Sequence, residues 1–281
     1  MKDLISVGYI VADTIDGQEY IGGSATAVAL NGAKLGLNTK LLSVVGTDDQ
    51  SKRFLSHIDS FGVDVSTIHQ HPGIQLSRNT ISHHDRTSGW EDRGAARAFE
   101  TTSWEGWDRE QYRSIHTGSA HKSAVKRLLP QASKEAIRSF SPGPKVKLDS
   151  EYVHPDILKH ATHVFLNEHE WQVVQELYGL DSPQSLLAYG PAFLAITRGE
   201  NGVDAFTGQS SDFQTYHVSA TRIEAPETTG AGDALALGVL ASILQGQPTK
   251  HALELGVALA TVCVERAGAE ISSASLSNIR R

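Results

Sequence analysis

The sequence predicts an α/β protein in which helices cover both faces of a mostly parallel central sheet. Short apolar runs typical of strands, such as Leu4–Val11 and Thr39–Val45, alternate with helical patterns, such as Ser24–Leu35 and Ser51–Phe61. Strands separated by helices favour parallel βαβ units, which bury both faces of their sheet. The chain of 281 residues contains no internal repeat, so we expect a single domain over residues 1–281.

The same alternation continues toward the C-terminus. Further strands are predicted at Val164–Leu166 and Phe193–Thr197, with the helix Glu168–Leu177 between them. The last two helices, predicted at Gly232–Gln245 and His251–Arg266, are rich in Ala, Leu and Val. Because a helix that is apolar on all sides is typical of a buried element, we expect both to pack against the sheet.

One segment in the first half of the chain departs from this pattern. It combines polar alternation and scattered glycines with Trp90, Trp104 and Trp107. Alternation of polar and apolar residues indicates antiparallel strands with one exposed face. We therefore predict a small β-sheet lid, formed from residues 12–22 and 66–105, beside the main sheet. We interpret the three tryptophans as core or interface residues rather than as stacking partners of a ligand.

The composition excludes several classes of protein. The formal net charge is −7 and the acidic residues are spread along the chain, whereas a nucleic-acid or anionic-membrane surface needs a basic patch. No apolar stretch approaches the roughly 18 residues of a membrane span, and the short apolar run near the N-terminus is better explained by a first strand than by a signal peptide. We therefore expect a cytoplasmic protein that binds neither nucleic acid nor membranes.

The single cysteine, Cys263, lies in an apolar run and is predicted to be a buried packing residue.

The strongest chemical signal is a glycine-rich turn that leads into Asp233 and an apolar helix, within the run Glu-Thr-Thr-Gly-Ala-Gly-Asp-Ala-Leu at residues 227–235. Glycines at a helix start let backbone N–H groups approach an anion closely, and the helix N-terminus adds partial positive charge. An aspartate in the first turn can take a proton from a hydroxyl held beside such an anion hole. On spacing alone, a mere helix-capping role for Asp233 explains the motif equally well.

This motif, with Gly238 in the helix that follows it, resembles the C-terminal signature of the ribokinase-like (PfkB) carbohydrate kinase family. Three further stretches resemble family motifs in the same order along the chain. They are Gly22-Gly23-Ser24-Ala25 with the residues that follow as far as Asp64, Asn167-Glu168-His169-Glu170, and Thr197-Arg198-Gly199-Glu200-Asn201-Gly202. The resemblance covers nearly the whole chain. It implies a ribokinase-like three-layer α/β/α fold with a mostly parallel central sheet and a small β-sheet lid.

The resemblance also implies an activity. It predicts a phosphotransferase that moves the γ-phosphoryl group of ATP to a hydroxyl of a sugar or sugar-like molecule. Asp233 is then the general base that activates the acceptor hydroxyl. The backbone amides of Gly230, Ala231 and Gly232 are the anion hole for the transferred group.

The acceptor side of the family pattern falls on Asp13, Gly22, Gly23 and Ala27. Asp13 stands where the family has its sugar-binding aspartate. Members usually carry an asparagine at the position of Ala27, so a hydroxyl contact is missing here or comes from elsewhere. This departure on the acceptor side, beside intact catalytic motifs, predicts an active kinase with an unusual acceptor.

The nucleotide side of the pattern falls on Asn167, Glu170, Thr197, Gly199 and Gly202. The resemblance implies that Asn167 and Glu170 help to place Mg²⁺ and phosphate, with Glu170 acting on Mg²⁺ indirectly through water. The loop from Thr197 through Gly202 is implied to hold the nucleotide. The expected cofactors are therefore ATP and Mg²⁺.

Two further expectations depend on the family pattern. Members usually have an aspartate where this chain has Glu227, near a monovalent-cation site that some of them use. The longer side chain of Glu227 puts activation by K⁺ in doubt. Because lids of the family often pair two subunits, a homodimer through the lid is expected.

Several alternatives stay open at this point. The same motifs fit a nucleoside kinase of the family, or a non-catalytic sensor of sugars or nucleotides on the same fold. An NAD-dependent oxidoreductase is disfavoured, since the third glycine position of its fingerprint holds Leu235 and the motif comes late in the chain. A P-loop kinase is excluded because the chain contains no Gly-Lys dipeptide.

Other polar groups carry weaker signals. The run His83-His84-Asp85 could bind a metal but is better explained as a polar hairpin tip. His116 and His121 flank a predicted strand end, where packing or a surface position explains them at least as well as the acceptor pocket. Arg93, Arg97 and Glu100 could contact a charged acceptor, with a solvated face as the simpler interpretation.

Overall fold

The computed structural model describes residues 1–82, 87–107, 111–147, 149–223 and 227–279, so the run His83-His84-Asp85 lies outside the described residues. The strands are β1 (Lys2–Val7), β2 (Val11–Ile15), β3 (Gln18–Gly22), β4 (Thr39–Leu42), β5 (Val44–Val45), β6 (His69–Gln70), β7 (Ser77–Ser82), β8 (Thr87–Asp92), β9 (Tyr112–Gly118), β10 (Ile137–Ser141), β11 (His163–Asn167), β12 (Phe193–Thr197), β13 (Val203–Thr207) and β14 (Gln214–Val218). The helices are α1 (Ser24–Lys34), α2 (Asp49–Ser60), α3 (Ala96–Phe99), α4 (Lys122–Gln131), α5 (Pro155–Leu158), α6 (Glu168–Tyr178), α7 (Pro183–Leu187), α8 (Ala231–Leu244), α9 (Thr249–Cys263) and α10 (Ser273–Ile279).

The main sheet has eight strands in the order β14-β13-β12-β11-β10-β9-β1-β4. All neighbours from β12 to β4 pair in parallel, while β13 pairs antiparallel with both β12 and β14. The predicted mostly parallel sheet is therefore confirmed. Because the carboxyl ends of parallel strands meet at one edge, the residues that follow β9, β10, β11 and β12 lie side by side.

Helices cover both faces of this sheet because alternate residues of a strand point to opposite sides. In β12, Leu194 and Ile196 pack in one core with buried residues of α4, α5, α6 and α7. Phe193 and Ala195, on the other face, pack in a second core with buried residues of α8 and α9. The three-layer α/β/α arrangement and the burial of the two C-terminal helices are thus confirmed.

A second sheet has four strands in the order β3-β2-β7-β8 and forms the lid. Strand β2 pairs antiparallel with β3 and parallel with β7, and β7 pairs antiparallel with β8. The lid strands thus come from residues 11–22 and 77–92. The rest of the segment expected to form the lid contains β6, α3 and the turns around them.

Two apolar runs that predict single strands are divided in the structure. The run Leu4–Val11 leaves the main sheet after Val7, and its end begins β2 of the lid. The run Thr39–Val45 is divided at Ser43, where β5 turns away to pair with β6. Every residue of Leu4–Val11 is buried on both sides of the break. Hydrophobicity alone therefore cannot show where the chain passes from one sheet to the other.

The tryptophans separate into two groups. Trp104 and Trp107 are buried in the main core, as predicted, whereas Trp90 on β8 keeps 37% of its surface exposed.

Cys263 is a buried free thiol in α9, which confirms its predicted packing role. Among the residues that the structure describes, no helix is both long enough and apolar enough to cross a membrane.

Candidate active site

A cavity of about 990 Å³ lies between the lid and the carboxyl edge of the main sheet. Four consecutive parallel strands contribute to its floor through the residues at or just after their ends: Ser119, Ser141, Asn167 and Thr197. The N-terminus of α8 forms one wall and the inner face of the lid forms another. Open α/β sheets bind their ligands at this edge, so the cavity is the candidate active site.

Asp233 lies in the first turn of α8 and faces the cavity. Its Oδ1 accepts a hydrogen bond of 2.7 Å from the hydroxyl of Ser24, the first residue of α1. Burial among protein groups raises the pKa of the Asp233 carboxyl to about 6, although the Ser24 hydrogen bond acts in the opposite direction. A carboxylate with this pKa is ionised near neutral pH and still accepts protons readily, which suits a general base.

The start of α8 presents backbone N–H groups to the same cavity. No side chain caps this helix, and Gly230 turns into it with a left-handed φ of 80°. The Ala231 N–H donates to the carbonyl oxygen of Thr228 at 3.2 Å, so this amide is already engaged and does not fit the predicted anion hole. A side chain at Gly232 would meet nothing within 4 Å, which leaves open space beside the Gly232 amide. An uncapped helix N-terminus with such space fits a phosphate group.

Asp13 reaches the cavity from the lid strand β2. A Cβ atom at Gly22 would come within 1.8 Å of its Oδ2, so the glycine is what makes room for this carboxylate. Its Oδ1 accepts a hydrogen bond of 3.1 Å from the amide of Asn79 on β7. Burial raises the pKa of Asp13 to about 6, the Asn79 hydrogen bond lowers it, and the charges of Glu227 and Asp233 raise it further.

Glu227 is a buried carboxylate at the edge of the cavity. One of its oxygens accepts the backbone N–H of Thr229, and the other accepts that of Gly268 at 3.4 Å. The side chain thereby joins the turn before α8 to the loop after α9. Backbone amides, rather than other side chains, satisfy its charge.

Asn167 and Glu170 line the cavity at the start of α6 and form a capping box there. The Asn167 side chain accepts the Glu170 N–H at 2.9 Å, and the Glu170 carboxylate accepts the Asn167 N–H at 3.0 Å. These two bonds give both residues a structural role in α6. The described residues contain no cluster of three or more His, Cys, Asp or Glu that could hold a metal by themselves. This donor set fits a Mg²⁺ ion whose ligands are mainly phosphate and water oxygens.

Some of the predicted site residues line the cavity and others lie outside it. Of those from the glycine-rich and acceptor motifs, Asp13, Gly23, Gly230, Gly232 and Asp233 line the cavity, as do Asn167, Glu170 and Thr197 from the nucleotide motifs. Gly22 lies behind Asp13, and Ala27 is buried within α1, so neither belongs to the lining. Gly199 and Gly202 shape the turn between β12 and β13 outside the cavity.

Three lining residues, Tyr9, Asn79 and Ser141, are not predicted from sequence. Ser24 belongs to a predicted motif, but its hydrogen bond to Asp233 is not predicted. Trp90 lines the cavity and is not buried, so of its two predicted roles the core role is wrong. The polar alternation of β7 and β8 was the available signal, because it places every second residue on the inner face of the lid.

The other polar groups singled out in the sequence lie outside the lining. Arg93 pairs with Glu100 at 2.9 Å, and the same carboxylate oxygen lies 3.3 Å from Nε2 of His121. His116 is completely buried within β9, where its Nδ1 lies 2.8 Å from the Ser139 hydroxyl, and burial lowers its pKa to about 4. It is therefore a neutral packing residue at physiological pH.

Comparison with known proteins agrees with this geometry. The chain is 29% identical over 287 residues to a cytidine kinase of Thermococcus kodakarensis, an alignment that covers 95% of this chain and 98% of the relative. Its fold superimposes with a TM-score of 0.87 on a nucleoside kinase of Methanocaldococcus jannaschii, a member of the ribokinase family, at 20% identity over 99% of this chain and 98% of that one. A ribokinase II of Escherichia coli in complex with ATP and Mg²⁺ superimposes with a TM-score of 0.83 at 17% identity, over 100% and 99% of the two chains.

A family model assigns the chain as a whole. The model of the pfkB family carbohydrate kinases matches residues 4–276, a span that includes every strand except the first two residues of β1 and every residue that lines the cavity. The chain therefore belongs to the pfkB family of carbohydrate kinases and is an ATP-dependent kinase of a sugar or nucleoside.

Proposed function

We propose that Asp233 is the general base of this kinase and that the acceptor hydroxyl binds between Asp233 and the lid. One observation carries the proposal. The Asp233 carboxylate stands beside an uncapped helix N-terminus and already accepts a hydroxyl hydrogen bond, that of Ser24. A hydroxyl in contact with this carboxylate thus lies next to backbone groups that bind a phosphoryl oxygen, as in-line transfer requires.

The protein supplies positioning and electrostatics in this reaction. Asp233 takes the proton of the acceptor hydroxyl while the oxygen of that hydroxyl attacks the γ-phosphorus of ATP. The bond from that phosphorus to the ADP oxygen breaks, and the negative charge that develops on the phosphoryl oxygens faces the Gly232 amide and the positive end of α8. Glu170 and Asn167 would hold the Mg²⁺ that accompanies ATP, through water, and the ion would supply positive charge against the phosphates.

The nucleotide is proposed to lie over the carboxyl ends of β11 and β12. Asn167 and Thr197 end these two strands, are directly opposite one another in the sheet, and line the cavity. Gly199 and Gly202 fix the turn that follows Thr197 without lining the cavity, so they act on nucleotide binding through the shape of the loop. Asp13 is proposed to bind hydroxyls of the acceptor from the lid side.

K⁺ is proposed to be dispensable. The Glu227 carboxylate accepts the N–H groups of Thr229 and Gly268, and so joins the turn before α8 to the loop after α9. Because a side chain of the protein holds this junction, no bound cation is needed there. Replacing K⁺ by tetramethylammonium in the assay should leave the rate unchanged. A rate that depends on K⁺ would show that the Glu227 contacts do not suffice.

The lid is also the surface through which we propose that two subunits associate. A homodimer through the lid stays a proposal, supported by the edge strands of this sheet, β3 and β8, which pair with no further strand among the described residues. Sedimentation velocity at micromolar protein distinguishes a dimer from a monomer.

The proposed function is tested by coupled release of ADP from Mg·ATP across a panel of sugars and nucleosides. Asp233→Asn should lower kcat by roughly 10²–10⁴-fold while nucleotide binding is retained, because the side chain keeps its size and loses its proton affinity. If an acceptor is phosphorylated at the wild-type rate by Asp233→Asn, the base assignment is wrong. If no acceptor is consumed but a ligand raises the melting temperature, the protein is a sensor.

A further inference from the structure

Three side chains form a row across the inner face of the lid. In the strand register, Asp13 of β2 lies opposite Asn79 of β7, and Asn79 lies opposite Trp90 of β8. All three line the cavity. We call Asp13, Asn79 and Trp90 the lid row. Because residues directly opposite on neighbouring strands share one face of a sheet, the row presents an acid, an amide and an indole side by side to whatever the lid covers.

The first two members of the lid row suit a pair of neighbouring hydroxyl groups. The Asn79 amide N–H donates to Oδ1 of Asp13, which holds the two side chains together. Oδ2 of Asp13 lies over the bare backbone of Gly22, and the structure gives the Asn79 side chain no other hydrogen bond within the described residues. The carboxylate and the amide oxygen are therefore two adjacent acceptors, to which a vicinal diol can donate both of its protons.

The third member of the lid row suits a flat ring. Trp90 keeps 37% of its surface exposed although it is the largest apolar side chain of the cavity wall. Its indole meets the ring of Tyr9 edge to face, with centroids 5.8 Å apart, so Tyr9 fixes its orientation. A large aromatic face held in place beside polar acceptors is a stacking surface for a planar heterocycle.

The charge of the cavity limits the acceptor further. Its lining includes the carboxylates of Asp13, Glu170, Glu227 and Asp233, and among the described residues no lysine or arginine lines it. Because the N-terminus of α8 is assigned to the transferred phosphoryl group, a phosphate or carboxylate group of the acceptor would find no cationic partner among the described lining residues and would be repelled by these acids. The acceptor that fits is therefore uncharged.

We propose, on the basis of the function proposed above, that the lid row selects nucleosides, with the ribose diol on Asp13 and Asn79 and the base on Trp90. Asn79 is then the specificity residue that replaces the side chain missing at Ala27, and it reaches the acceptor from the lid instead of from α1. Free sugars bind only the first two members of the row, and sugar phosphates and sugar acids are rejected by charge.

The test compares acceptors and variants in the ADP-release assay. Cytidine and inosine serve as pyrimidine and purine probes, beside ribose, fructose 6-phosphate, 2′-deoxycytidine and 3′-deoxycytidine. One nucleoside should exceed ribose in kcat/KM by about tenfold or more, the effect of base stacking on an aromatic side chain. Fructose 6-phosphate should give no measurable turnover. Ribose or fructose 6-phosphate as the best acceptor overturns the proposal.

The variants assign the contacts. Trp90→Leu should raise KM for the nucleoside about tenfold and that for ribose much less, whereas an equal rise for both acceptors contradicts a stacking role. Asn79→Ala should lower kcat/KM for the ribonucleoside about tenfold but act much less on the deoxynucleoside that lacks the contacted hydroxyl. Equal losses on all three nucleosides contradict the diol contact. Thr80→Ala is the matched control, since Thr80 follows Asn79 on the outer face of β7 and bonds there to Glu91.

A binding measurement separates this proposal from the function on which it rests. Titration of the protein with cytidine or inosine should quench tryptophan fluorescence, and the quench should disappear in Trp90→Phe. That result, without turnover of any acceptor, leaves the lid row standing and overturns the kinase chemistry. Turnover of a sugar, without a quench by either nucleoside, keeps the kinase chemistry and overturns the lid row.

Discussion

The two walls of the cavity are built in different ways. The wall formed by the main sheet and α8 uses backbone: strand ends, a glycine-rich turn and the first amides of a buried helix. The lid wall uses side chains that come together through strand register, as Asp13 and Asn79 do. The first construction keeps its chemistry in a few consecutive residues, while the second allows recognition to change one side chain at a time. If the proposed function holds, catalysis depends on the first wall, and acceptor specificity can change through single substitutions in the second.

The sharpest test of this division is a comparison of stability. Leu237 of α8 is completely buried in the core that α8 forms with α1, α9 and β1, and Leu237→Ala should lower the free energy of unfolding by about 2–5 kcal/mol. Ile81 of the lid is half-buried at the cavity, so Ile81→Ala should cost about 1 kcal/mol. Urea unfolding of both variants measures the difference. Equal losses would mean that the lid contributes as much as the main core to global stability.

The buried acids predict how stability depends on pH. Burial raises the pKa of Asp13 to about 6, so between about pH 4 and pH 6 the folded protein holds a proton that the unfolded chain has released. The free energy of unfolding should therefore fall as the pH rises through this window. Asp13→Asn should remove that fall and gain about 1–3 kcal/mol at pH 8. Thermal unfolding at pH 4, 6 and 8 checks the prediction, with the wild-type protein as reference.

Asp233→Asn is the counterpart of this variant in the other wall. Burial raises the pKa of Asp233 to about 6 as well, so the same gain at pH 8 is expected. A gain that is independent of pH in either variant would contradict the ionised, buried state of that carboxyl.

Ser24 should control the pH dependence of the reaction. Its hydroxyl donates to the Asp233 carboxylate, so Ser24→Ala removes a bond that favours the ionised base. The acid limb of the kcat profile should move to higher pH, by up to about one pH unit, which equals about 1.4 kcal/mol. The groups that face Asp233 from elsewhere, Asp13, Glu227 and Cys263, are unchanged in the variant.

Thr26→Val is the matched control for Ser24→Ala. Thr26 lies on the same helix, and its hydroxyl donates to the Tyr9 carbonyl oxygen at 2.8 Å rather than to Asp233. Its loss should alter stability without moving the acid limb. If both variants shift the profile equally, the effect comes from α1 as a whole.

The smallest expected effect is that of Gly232→Ala, which adds one carbon atom and should change stability and activity in opposite directions. Gly232 has helical backbone and open space where a Cβ atom would stand, so Gly232→Ala should stabilise the fold by about 0.5–1 kcal/mol. The new methyl group enters the space assigned to the phosphoryl group, and kcat should fall at the same time. Paired measurements of unfolding and turnover test this. A variant that gains stability and keeps full activity would place the transferred group elsewhere.

The sequence predicts the wall formed by the main sheet and α8 better than it predicts the lid wall. Asp233 and its glycines follow one another in the chain, so a local motif could identify them, and the alternation of strands and helices was enough for the main sheet. Asn79 and Trp90 become neighbours of Asp13 only through the pairing of β2, β7 and β8. No local pattern records which residues of separate strands stand opposite each other. Ala27 was assigned to the acceptor from family position alone, and its burial in α1 removes it from the cavity.

The bond between Ser24 and Asp233 joins residues that are 209 positions apart. Protein synthesis delivers Ser24 early and the start of α8 near the end, and β1 is completed only when β9 is available to flank it. Contacts between such distant segments form late and slow the folding of a domain. A nascent chain on the ribosome therefore has the hydroxyl long before it has the base, and it passes through translation without an assembled centre that could consume cellular ATP.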